Sequence, residues 1–153
     1  MSVTVTVDDR KLQEAFKKIT AAARGQIMVS AAEAGGYVVE GQAKINAPVD
    51  MGYLRNSIQT KTGRVTATEA NVHVGPAAEY GAYVEFGTGI HAEDGRGRKK
   101  AWVYWSDKLQ QFITTSGTRP RSFLRPALKE RKGQIIEAIR RTAARLILGA
   151  VGR

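Results

Sequence analysis

Two groups of side chains have the residue types and spacing that chemistry needs. His91, Glu93 and Asp94 fall within four positions, and Glu79 and Glu85 are six apart. An imidazole beside two carboxylates suits a loose metal site, but the surrounding "GTGIHAEDGRGRKK" is too rich in glycine to preorganise ligands. Two carboxylates across a turn suit a glycosidase pair, yet nothing around them resembles a sugar groove beyond tyrosines. A structural role for Glu85 is more economical: it pairs with an arginine such as Arg55 or Arg125, or it touches a neighbouring subunit. His73, inside "NVHVG", alternates away from Val72 and Val74 and reads as a sheet-surface histidine. The chain has no cysteine, which excludes disulfides, thiolate zinc sites and a cysteine nucleophile. Phosphate-cradling and dinucleotide-binding glycine loops and a nucleophile elbow are absent too. The sequence thus reads as a protein without catalytic residues, metal or cofactor.

The net charge of +10 over 153 residues is concentrated. Between Gly87 and Lys132, eleven Lys and Arg face four Asp and Glu, so this span carries most of the excess. Such a patch attracts nucleic acid or an acidic protein surface, and charge alone does not choose between them. A membrane is disfavoured, since no basic amphipathic helix with exposed aromatics is evident. No apolar run nears the roughly 20 residues of a membrane span, and "MSVTVTVDDRKL" lacks the basic start and apolar run of a signal peptide.

The elements that must position these residues can be read from periodicity. "SVTVTV" alternates as a half-buried strand, and Asp8 or Asp9 can cap a helix with Leu12, Phe16 and Ile19 on one side. A break is expected around Gly25, then a helix from Gln26 to Ile45 with a stripe of Ile27, Ala31, Ala34, Val38 and Ile45. Gly35 and Gly36 inside it predict a kink or a tight crossing. "SIQTKTGRV", "EANVHVG", "AWVYW" and "KLQQFIT" predict strands of a small antiparallel sheet. Pro126 opens a long C-terminal helix with Leu128, Ile135, Ile139, Ala143, Leu146 and Ala150 on its buried stripe and Gly152 at its end. The segment from Gly87 to Lys100 has almost nothing apolar and is expected to be a flexible loop. The fold class is α+β: one domain, with the helical N-terminal half and the C-terminal helix packed on the sheet.

Three stretches in order, "INAPVDMGYLRNSI" (45–58), "VGPAAEYGAYVEFGTG" (74–89) and "GTRPRSFLRPALKE" (117–130), resemble the tail-completion, or head-tail joining, proteins of tailed phages. The resemblance covers about residues 10 to 150. Met51, Tyr53 and Ser122 depart from that family's pattern, where threonine, a small polar or basic residue, and proline are usual. In the first stretch Pro48 should end the helix, Asp50 should bond nearby amides and Gly52 should turn the chain before Leu54, Arg55 and Ile58, forming a helix-to-strand corner.

The resemblance implies a structural virion protein of the neck, a ring of this chain joining the DNA-filled head to the tail. Six copies would match the tail and twelve the portal, with six favoured. Its partners would be the adjacent neck and tail proteins, with transient contact to DNA in the channel. The expected subunit or partner interface comprises Tyr80, Tyr83, Glu85 and Phe86; Arg96, Arg98, Lys99 and Lys100 of the loop; and Arg119, Arg121, Phe123 and Arg125. Tyr80, Tyr83 and Phe86 could equally be core residues. The rival reading is a basic nucleic-acid-binding module, with the same cations on phosphates and Trp102, Tyr104 or Trp105 stacking on bases.

Overall fold

The computed structural model describes residues 19–66 and 68–151. The expected first strand, the Asp8 or Asp9 cap, Leu12, Phe16 and the Gly152 terminus lie outside them. The described chain runs α1 (Ala21–Asn46), α2 (Tyr53–Ser57), β1 (Ile58–Val65), β2 (Ala70–Pro76), α3 (Gly81–Phe86), a 3-10 turn (Gly89–His91), β3 (Trp102–Ser106), β4 (Gln111–Thr115), α4 (Leu124–Glu130) and α5 (Lys132–Val151). This is an α+β architecture.

The helix does not break at Gly25. It starts at Ala21, where the Thr20 hydroxyl accepts from the Ala23 N–H at 3.3 Å, and it runs straight through the glycine. One glycine costs a helix about 1 kcal/mol, and a capped start with a long buried face outweighs that. Its buried positions recur every four residues, at Ile27, Ala31, Gly35, Val39 and Ala43, with Gly36 buried beside Gly35 and Ala47 buried just past the helix end. Ile45 is therefore not in the stripe. Two residues beyond Ala43 the helix has turned about 200°, and Ile45 is 74% exposed.

Gly35 and Gly36 explain why α1 is the central layer. A Cβ on Gly35 would stand 2.8 Å from Ile139 of α5, and one on Gly36 would stand 2.7 Å from Thr60 and 2.9 Å from Val72 of the β1–β2 pair. Consecutive residues point about 100° apart on a helix, so α5 and the sheet close on two sides of the same turn. The tight crossing is real. Gly35→Ala should overpack the α1–α5 contact and cost about 1–3 kcal/mol, read as a lowered midpoint of denaturant unfolding.

The strands form two separate two-stranded antiparallel sheets rather than one, β1 with β2 and β3 with β4. Between them the chain forms α3 and the 3-10 turn. His73 lies on the exposed face of β2, opposite Lys61, while Val72 is buried toward α1.

The C-terminal helix also divides. Arg131, at φ −103° and ψ 10°, separates α4 from α5 while its side chain donates to Gln42 of α1 at 2.7 Å. Its buried face is Ala127, Ile135 and Ile147, with Leu128, Ile139, Ala143 and Leu146 packed beside them; Ala150 is exposed. The main core joins Val39, Ala43, Leu54, Ile58, Phe123 and Ala127. A smaller cluster of Ile19, Ile27 and Ile147 closes the far end.

Candidate functional site

Glu85, on α3, is 1% exposed, and four donors converge on it. Its carboxylate accepts the backbone N–H groups of Phe123 (2.8 Å), Leu124 (3.0 Å) and Arg125 (3.3 Å), and the Arg125 Nε–H at 3.0 Å. These amides open α4, so the carboxylate of one helix caps the start of another. Burial alone would push the Glu85 carboxyl up, but the Leu124 and Phe123 amides and the arginine outweigh it and hold it below the usual range.

Arg125 extends this brace. It meets Glu93 through both terminal nitrogens (2.8 and 2.9 Å) and donates to the Ser122 hydroxyl and the Glu85 carbonyl, with the Phe86 ring beneath its guanidinium. Glu93 first and Glu85 second raise its affinity for the proton. Ser122 donates in turn to the Glu85 carbonyl at 3.1 Å. The serine that stands where proline is usual is thus a working part of the brace, which sequence reasoning missed.

The polar segment after α3 is anchored over its first half. Thr88 N–H donates to Thr118 O (2.9 Å), Ile90 N–H to Ser116 O (3.0 Å), Glu93 N–H to Phe86 O (3.0 Å), and Thr118 N–H to the Thr88 hydroxyl (2.9 Å). Glycines make this close approach possible: Gly87, Gly89 and Gly117 all have positive φ. These bonds tie the first part of the segment expected as a flexible loop from Gly87 to Lys100 to its neighbours, and composition does not show such backbone pairing.

Of the residues expected at an interface, Tyr80, Tyr83 and Phe86 are exposed, as are Arg96, Arg98, Lys99, Lys100, Arg119 and Arg121. Phe123 and Glu85 do not face outward: Phe123 is fully buried in the main core, and Glu85 is enclosed by the amides that open α4. Arg125 is the partner that the sequence offered for Glu85, whereas Arg55 stays exposed. His91, Glu93 and Asp94 do not converge, since Glu93 is taken by Arg125; among the described residues no group of three potential ligands could hold a metal ion.

At the corner, Ala47 is extended ahead of Pro48 and Gly52 sits at φ 79°, which Pro48 and Gly52 predict. A short helix, α2, intervenes before the strand and buries Leu54. Asp50 does not bond nearby amides. It meets Lys108, at the tip of the β3–β4 hairpin, at 2.7 Å. Beside it opens a groove of about 310 Å³ between the corner and α3, with Val49, Met51, Tyr53 and Tyr80 on its rim and Arg121 on its wall. Tyr53 and Tyr80 stack at 6.2 Å, and Met51 is 90% exposed.

The β3–β4 hairpin is the second bare apolar surface. Register places Val103, Trp105, Phe112 and Thr114 on one face, and all four are exposed. Trp105 meets Phe112 edge-on at 5.1 Å, and neither core cluster includes a hairpin residue. Arg98 lies over the Trp102 ring at the hairpin's base.

A family model described as "Bacteriophage HK97-gp10, putative tail-component" matches residues 10–87, just over half of the chain. The match spans α1, the corner, β1–β2 and α3, and ends where the anchored loop begins. No significant match was found among curated proteins or among solved structures.

Proposed function

Because this chain belongs to the HK97-gp10-like family of phage tail components, we propose that it completes the tail at the neck, as a ring through which the head is joined. As a tail component it acts in the virion beside other tail and neck proteins. The observation that carries the finer reading is the exposed apolar surface, mostly aromatic, at two places on a braced scaffold: Tyr53, Tyr80 and Met51 at the corner, and Trp105 and Phe112 on the hairpin. Aromatics bare in one chain suit contacts made in an assembly. Two different surfaces on one subunit give head-to-tail contacts, which close into a ring, with six copies favoured over twelve.

Heads and tails purified from an infection lacking this chain should yield infectious particles when the purified chain is added. Particles that form equally well without it would overturn the neck assignment.

The nucleic-acid reading retains one observation in its favour: Arg96, Arg98, Lys99 and Lys100 are exposed next to Trp102, Tyr104 and Trp105. Duplex DNA binding by the monomer that falls steeply with salt is its expected signature. Weak binding with a shallow salt slope removes it.

A further inference from the structure

Two adjacent strands by themselves make a marginal structure, yet the β3–β4 hairpin leaves Val103, Trp105 and Phe112 bare on one face. Among the described residues, no part of either core cluster covers them. The corner groove is bare as well, with Val49, Met51, Tyr53 and Tyr80 exposed around it. The charges at the two surfaces match. The hairpin turn carries Asp107 and Lys108, while the groove offers Asp50 on its rim and Arg121 on its wall. Half of that match is already formed within one chain, where Lys108 meets Asp50 through side chains that are 70% and 71% exposed. Such an exposed pair is a weak hold. It brings the tip to the groove's edge while the aromatic face stays outside.

We propose that the β3–β4 hairpin is an arm that seats in the corner groove of a second copy of this chain, exchanging the internal Lys108–Asp50 pair for the same pair between copies. This rests on the ring reading above and names its contact. Trp105 and Phe112 enter the space beside Met51 and the stacked tyrosines, Lys108 meets Asp50 of the second copy, and Asp107 comes to its Arg121. Arm and groove are different surfaces, and passed on from copy to copy, rather than exchanged between two, the contact is heterologous and closes a ring. Exchange costs little because the pair given up is made again. What each copy gains is burial of the bare aromatics. The arm lies beyond the stretch that the family model matches.

Introduced thiols can test this without interference, because the chain has no cysteine of its own. A Phe112→Cys chain and a Met51→Cys chain are mixed under mild oxidation at the concentration where light scattering shows assembly. A disulfide-linked 1:1 dimer is expected, with each variant alone giving at least tenfold less. The double variant in one chain should link between chains. Closure only within the chain would overturn the proposal, as would no link at all or a wild-type chain that stays monomeric at millimolar concentration.

A second variant, Trp105→Asp with Phe112→Asp, should keep the circular dichroism of the fold and lose assembly. If it assembles normally but loses duplex DNA binding, the hairpin belongs to nucleic acid and the arm is wrong. The neck reading is tested separately: head–tail joining restored by this variant would remove the arm and keep that reading. Failure of the wild-type chain to restore joining would remove the neck assignment, while the cross-link still decides whether copies meet through the arm.

Discussion

Replacing Glu85 by alanine should destabilise the folded chain by about 3–5 kcal/mol, toward the lower end of that range. The carboxylate is 1% exposed and serves four donors, three of them the backbone amides of residues 123 to 125. An alanine leaves those amides without a partner, and each orphaned buried donor costs about 1–3 kcal/mol. Arg125 limits the damage because it is partly exposed and keeps Glu93. Glu85→Gln should also be poor: an amide offers one acceptor oxygen and turns its NH₂ toward other donors. Denaturant unfolding of both variants measures the loss, and a change under 1 kcal/mol for alanine would show that water replaces the carboxylate.

The same site fixes the sign of a pH effect. The folded-state affinity of Glu85 for its proton is lowered, and that of Glu40, beside Lys44 and Thr60, is lowered too. A carboxyl held below its unfolded value of about 4.3 stabilises the fold fully above that pH, and the contribution is lost as pH falls through the folded value. The stability difference between wild type and Glu85→Gln should therefore be flat at neutral pH and narrow in acid. A difference that widens in acid would contradict the brace.

What the sequence made legible follows from how local each signal was. Pro48 and Gly52 act through their own backbone, so the corner could be read from the residues alone. Gly35 and Gly36 announced a close crossing, though not that α5 and the sheet press on the same turn from two sides. The Glu85–Arg125 pair was one of several open possibilities, since forty residues separate the partners and only the fold brings them together. Ile45 was misplaced because an apolar residue near the end of a stripe looks like part of it until the register is counted from Ala43. The hairpin's isolation was hidden for another reason. A strand that packs on the core and a strand that projects from it can share one apolar pattern, and only the surroundings distinguish them. The anchoring of the polar loop was equally hidden, because backbone carbonyls, not side chains, receive most of its bonds.

That anchoring leads to the second large effect. Gly89→Ala and Gly117→Ala should each unfasten the loop from the segment ahead of α4, at a cost of roughly 3 kcal/mol. Gly89 has φ 59° and Gly117 φ 119°, where a side chain is strained. A Cβ on Gly89 would fall on the Ser116 carbonyl oxygen, and one on Gly117 would fall on that of Thr88. Backbone cannot step aside as a flexible side chain does. The two strands of chain must separate, and the Thr88–Thr118 and Ile90–Ser116 bonds, at 2.9 and 3.0 Å, go with them. Because β4 ends at Thr115, directly before this clasp, the substitutions should loosen the arm while α1, α5 and the β1–β2 pair remain packed. Hydrogen exchange tests the separation: the amides of Thr88, Ile90 and Thr118 should lose protection in Gly117→Ala, with those of α1 unchanged. Equal loss across the whole chain would mean instead that the clasp and the core unfold as one cooperative unit.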